Sequence, residues 1–291
     1  MPVAREHGTF RLQESLLELR KMALQVTMDY KEALAICDET DRLLNAYPLF
    51  ANRSRRSLNA LTRLMCYIQT KKPDLADDLV RSSMDLFSSE NQNWHTFQEW
   101  RFILLMHTER YEDAHTLMQE LMSKSNFESQ TETTRDRWNL FRIYAELYTG
   151  RIVPGEKRFA NEKTGDLLHG LMRNFESFKG DYAGYGMAAV VLEIMILLKR
   201  RADNEFLFET IESLNQYKSR HLKGGHKTQS NIFISMLQLL PQYELDAKKI
   251  KKVAAPMLKE MLAIETIDEL QAQQVLPYEM LWAKTVSLLP K

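Results

Sequence analysis

The sequence predicts an all-α chain, and three observations carry that prediction. Apolar residues recur at helical spacing along most of its length, with no sustained strand-like alternation. Glycine is scarce, 10 of 291 residues, against a usual share of about 7%. Phosphate-cradling loops and tight hairpin turns both use glycine, so nucleotide-binding α/β folds and all-β folds lose ground. Finally, a short pattern returns as Tyr30-Lys31-Glu32-Ala33, Asp74-Leu75-Ala76 and Tyr111-Glu112-Asp113-Ala114, with the alanines 43 and 38 residues apart. Each copy follows one amphipathic stretch and opens another, which is how stacked helical hairpins appear in sequence.

The helices follow in order. The first runs Phe10 to Val26, with Leu12, Leu16, Leu19 and Ala23 on one face. Asp29 is placed to cap the second, Tyr30 to Ala46, whose stripe is Ala33, Ile36, Cys37, Leu43 and Leu44 before Pro48 stops it. The third covers Ser54 to Thr70, and Pro73 opens the fourth, which carries Ala76, Leu79, Val80, Met84 and Phe87. A polar link, Ser88 to Asn93, leads to Trp94–Arg110, then Glu112–Lys124, then Thr133–Thr149, which Gly150 closes. Periodicity lapses over Arg151–Gly165, around Pro154 and Gly155.

The second half reads as Leu167–Phe178, Tyr182–Arg201, Asn204–Leu222, Ser230–Leu240, Asp246–Ile264 with a kink or late start near Pro256, and a terminal cap Pro277–Leu289. The expected organisation is a tail (1–9), regular hairpins (10–150), an irregular connection (151–165) and C-terminal helices (166–291).

Composition bounds the function. Lys plus Arg and Asp plus Glu are both 39, giving a formal net charge of zero and no whole-protein field drawing in nucleic acid or anionic lipid. The two cysteines, Cys37 and Cys66, sit in apolar helical stretches and read as reduced core residues. Met1–Thr9 has no apolar signal-like region, and the most apolar run, Ala188–Leu198, is too short to span a bilayer. A cytoplasmic protein with no membrane partner is expected.

No catalytic or metal signature stands out. The seven histidines are scattered, with no HExxH and no CxxC, and no GxSxG is present. Lys223-Gly224-Gly225-His226-Lys227-Thr228 lacks phosphate-loop spacing and reads as a helix–helix turn. No metal, no cofactor and no enzymatic activity are therefore expected. An enzyme on this scaffold would need buried carboxylates converging, with Glu146, Glu193 and Glu209 the ones to watch.

Tyr111-Glu112-Asp113-Ala114 with Met118 and Leu121 resembles the second helix of a tetratricopeptide (TPR) repeat, and Tyr30-Lys31-Glu32-Ala33 with Cys37 and Pro48 matches the same half-motif. The spacing exceeds the 34 residues of that family, and Phe102 stands where a small residue is usual. The resemblance covers residues 10–150, and the ending Leu276–Trp282 resembles the closing helix of uncharacterised bacterial TPR-like proteins. It implies a right-handed α-α superhelix of about 12–13 helices whose concave face binds proteins or peptides without a cofactor. First helices of successive hairpins line such a face, which selects Trp94, Phe97, Trp100, Arg101, Arg135, Trp138, Arg142 and Tyr144 as candidate partner-binding residues; the alternative reading of the aromatic rings is core packed between successive hairpins. A nucleic-acid-binding alternative would use the basic groups Lys199-Arg200-Arg201, Lys218-Arg220-Lys223-Lys227 and Lys248-Lys249-Lys251-Lys252, against the neutral total charge.

Overall fold

The computed structural model describes residues 9–87, 92–124, 127, 129–151, 183–201, 204–221, 228–265, 267–268 and 274–290. The expected helix at 167–178, the turn at 223–226, residues 1–8 of the tail and most of the connection at 151–165 lie outside them. Every regular element among the described residues is helical. The chain forms two compact units, Met1–Glu109 and Arg110–Lys291. The division thus falls ahead of the lapse in periodicity at Arg151.

In the first unit, α1 (Phe10–Val26), α2 (Tyr30–Ala46), α3 (Arg53–Gln69), α4 (Pro73–Ser83) and α5 (Gln92–His107) pack in sequence order, and α5 lies on both α3 and α4. Asp29 and Pro73 act as the sequence reading placed them, and Asn52 caps α3 in addition. Asp29 accepts from the Glu32 amide at 3.0 Å, Asn52 accepts from the Arg55 amide at 3.0 Å, and Pro73 occupies the first turn of α4. Ala33 and Ala76 are fully buried, the small side chains that let each second helix approach its neighbour.

One part of α1 reverses the expectation. Of the stripe read from the sequence, Leu12, Leu19 and Ala23 face water, whereas Phe10, Leu17 and Lys21 are buried. Lys21 is 1% exposed; its ammonium lies 2.6 Å from Glu18 Oε1 and donates to Asn59 Oδ1 at 3.2 Å. The Asn59 amide nitrogen in turn donates to the Cys37 carbonyl at 3.0 Å and to Asp41 at 2.7 Å. Arg63 bridges Asp38 at 2.5 Å and Asp41 at 2.8 Å. A buried ammonium survives only when paired and hydrogen-bonded, and this network supplies both. It outcompetes the apolar stripe for the inner face.

In the second unit, α6 (Tyr111–Met122) and α7 (Glu132–Tyr148) form a hairpin, with Ala114 fully buried. Gly150 then takes a φ of +76°, a left-handed conformation that ends the helix at little cost for a residue without Cβ. The apolar helix α8 (Ala183–Arg200) packs on α7, on α9 (Asn204–His221) and on the terminal α13 (Tyr278–Leu288). Between α9 and α13 run α10 (Gln229–Leu237), the single turn α11 (Leu239–Gln242) and α12 (Ala247–Leu262). Asp246 caps α12 by accepting from Lys248 and Lys249, so the helix starts there and runs through Pro256. The late start read from that proline does not occur.

The buried ammonium gives a direct test. Asn59→Leu removes its acceptor, and urea unfolding is expected to show a loss of about 2–3 kcal/mol. The double variant K21M/N59L leaves neither polar partner buried and is expected to recover most of that loss.

Candidate partner-binding surface

The eight residues selected from the sequence divide between the two units. In the first, Phe97 is fully buried and stacks on Phe87 with centroids 4.0 Å apart and planes at 13°. Trp94 is buried too, its ring edge-on to His95 at 4.9 Å. Trp100 and Arg101 are half-buried, and Arg101 donates to Gln98 at 3.4 Å.

In the second unit, Trp138 is buried against Phe141, and the buried Tyr144 hydroxyl donates to the Ala188 carbonyl at 2.8 Å. Arg135 and Arg142 are half-buried. The rings of Trp94, Phe97, Trp138 and Tyr144 are therefore core of their own units. Only Trp100 and the three arginines keep surface to offer. Aromatics at helical spacing do both jobs, and burial alone separates them.

The ionisable groups have local explanations. Burial pushes the Cys37 thiol up to about 11 and Cys66 up to about 12, which keeps both protonated and weakly nucleophilic at neutral pH. Burial raises the Glu146 carboxyl while Arg142, 3.8 Å away, opposes the shift; burial alone raises Glu193. Glu209 is exposed, so the three carboxylates do not converge. The Arg151 guanidinium, 2.7 Å from Glu112, holds that carboxyl below its usual range. Burial lowers both Lys199 and Lys284, and the charge of Lys199 lowers Lys284 further. Among the described residues, no group of three or more His, Cys, Asp or Glu is placed to hold a metal ion. Lys248, Lys249, Lys251 and Lys252 are all exposed, as a solvated face requires.

A surface that periodicity did not single out is apolar and lies on the first unit. Among the described residues, ten of the twelve strongly exposed large apolar side chains belong to it. One group surrounds the α2–α3 connection, where Leu49 is 96% exposed between partly exposed Tyr47 and Phe50. The Phe50 ring stacks on Phe10 at 4.8 Å and Tyr47 tilts onto the same ring at 5.6 Å. Arg55 also lies over the Phe10 ring, 5.3 Å from the centroid, and pairs with Glu14. The signal in the sequence was the run Tyr47-Pro48-Leu49-Phe50, apolar where a connection is normally polar. Among the described residues no helix is long and apolar enough to cross a membrane.

Compared with protein-family models, curated proteins and solved structures, the chain matches none.

The raised carboxyl of Glu193 sets a sign for pH dependence. Its folded-state value lies above the unfolded one, so its contribution is fully present below the ordinary carboxyl range, about 4.3, and is lost as pH rises through the folded value. Glu193→Gln is thus expected to stabilise the protein at pH 7 and to leave it unchanged near pH 3.5. Thermal unfolding at the two pH values measures the difference.

Proposed function

We propose that the chain is a protein- or peptide-binding helical scaffold, built of TPR-like hairpins in a right-handed arrangement, with recognition rather than catalysis as its task. The observation that carries this reading is the concentration of exposed large apolar side chains on the first unit. Apolar residues exposed singly need no explanation, whereas clustered ones mark interaction surfaces. The Tyr47-Leu49-Phe50 connection combines aromatic rings with a neighbouring arginine, Arg55, the residue types that dominate binding hot spots. Trp100 and Arg101 add a second half-buried aromatic–arginine pair to the same unit. An amphipathic helix or an extended segment would supply the complementary apolar anchors.

The test is recovery of partners from cell extract by the wild-type chain and by the variant L49D/F50A. Leu49 is almost fully exposed and Phe50 half so; F50A removes one ring from Phe10, so circular dichroism and thermal unfolding check that the variant is folded, and L49D alone serves as the variant that leaves the Phe10 stack intact. Wild type is expected to retain a defined partner that the variant loses, with an affinity loss of about 30-fold or more. An identical set of proteins on both baits, or none on either, overturns the reading.

A further inference from the structure

Helix α1 carries its charges and its apolar residues on unexpected sides. Glu14 pairs with Arg55, Arg20 with Glu32 and Glu39, and Lys21 with Glu18 and Asn59, all directed at α2, α3 or the helix's own inner face. The outer face bears Leu12, Leu19, Met22 and Val26, which are 53%, 64%, 61% and 79% exposed. Ser15 and Ala23 are exposed beside them, Leu16 is half-buried, and the only charge on this face is Arg11 at one end. Positions 12, 15, 19, 22 and 26 alternate steps of three and four, the spacing of a seam that packs against another helix.

We infer that this seam is the two-fold interface of a homodimer, formed by α1 packing antiparallel on α1 of a second copy and centred on Leu19. The inference rests on reading the first unit as a binding surface and commits its α1 face to one occupant.

Two features of the seam select a second copy. The first is that the seam is palindromic about Leu19. In an antiparallel pair Leu12 of one copy faces Val26 of the other, Ser15 faces Ala23, Leu16 faces Met22, and Leu19 faces itself. Large residues meet large ones and small meet small at every level. A two-fold interface requires such self-complementarity, and a seam evolved for a different helix has no need of it.

The second is charge. An antiparallel arrangement brings Arg11 to the far end of the other α1, beside its terminal carbonyls and the exposed Asp29, and does so twice. A parallel arrangement sets Arg11 against Arg11 and Asp29 against Asp29. The formal net charge of zero leaves no overall repulsion between copies.

Sedimentation velocity of the full chain tests this. The mass is expected to rise from 34.1 kDa toward twice that value between about 1 and about 100 μM, the range suited to a small interface. Leu19→Glu places two carboxylates at the two-fold axis and is expected to weaken association by about 30-fold or more; L49D/F50A is expected to leave it unchanged. For orientation, chains carrying L12C and V26C are mixed and oxidised. Cys37 and Cys66 are buried, so the introduced thiols are the accessible ones. The antiparallel pair gives the 12–26 disulfide, and a 12–12 product overturns it.

A wild-type chain that stays monomeric throughout, or a dimer indifferent to L19E, overturns the inference. If the monomer instead captures a foreign protein that L19E loses, the homodimer falls while the binding role of the first unit stands. Loss of capture by L49D/F50A alone bears only on that role.

Discussion

The first unit depends on one ammonium held out of water. Lys21 lies on the inner side of α1, between α2 and α3, and its bonds to Glu18 and Asn59 tie the helix to a polar network that includes Asp41 and Arg63. The geometry of a helix turns that local arrangement into a global one. With 3.6 residues per turn, Leu19 and Leu12 lie about 160° and about 180° around the axis from Lys21, and Val26 lies about 140° away. Leu17, one turn before Lys21, is buried with it. No rotation of α1 buries both Lys21 and the outer leucines. Expelling the ammonium would take the Lys21 donor from the buried Asn59 Oδ1, and retaining it sends the apolar stripe into water. The exposed seam is therefore a consequence of the network and not a defect in packing.

The second unit solves the same problem with the polarities exchanged. Its central helix α8 is apolar on almost every face, and the neighbouring helices α7, α9 and α13 cover it. Apolar surface fixes no register by itself, since many rotations bury similar area. Hydroxyls supply the missing direction. Tyr144 donates to the carbonyl of Ala188, and the Tyr278 hydroxyl contacts Met187 and the Ser230 hydroxyl, which in turn bonds Asp268. The ring of Tyr278 stacks on Phe233 at 4.6 Å, so the same residue contributes apolar area and a polar anchor to the docking of α13.

How much of this was legible in the sequence follows from what each signal measures. Helix limits were readable where local chemistry sets them: Tyr30–Ala46 begins at the Asp29 cap and ends ahead of Pro48. The buried alanines Ala33, Ala76 and Ala114 were readable for a similar reason, as small residues recurring at one point of the hairpin. Periodicity, however, reports that a face is apolar and not which way it points. In α1 it therefore named the outer face, because the decisive contact, Lys21 to Asn59, spans 38 residues and leaves no local trace. The aromatic positions show the complementary limit, since residue type does not separate core from surface. Trp94, Phe97, Trp138 and Tyr144 have the residue types of an interface but are claimed by their own cores. Trp100, Arg101, Arg135 and Arg142 retain part of their surface because they sit between the inner and outer faces of their helices.

The perturbed ionisable groups and the exposed apolar side chains have different physical origins. Catalytic sites gather perturbed groups whose shifts are set against one another, an acid beside a base or a nucleophile beside its activator. Here burial explains the raised thiols and Glu193, and an adjacent arginine explains Glu112. These groups are consequences of folding. The outward stripe of α1 is different, because it fills no core of its own unit, and Leu49 likewise faces water between Tyr47 and Phe50, whose rings lie on Phe10. A helix face open to water is ordinarily polar. In α1 that face is nearly uncharged, and its charges are consumed internally by Glu14, Arg20 and Lys21. Apolar area of this kind lowers the free energy of an associated state relative to the isolated one, by about 25 cal/mol for each Å² removed from water. In the first unit α1 is thus held inward by Phe10, Leu17 and the Lys21 network, and its apolar stripe is left in water.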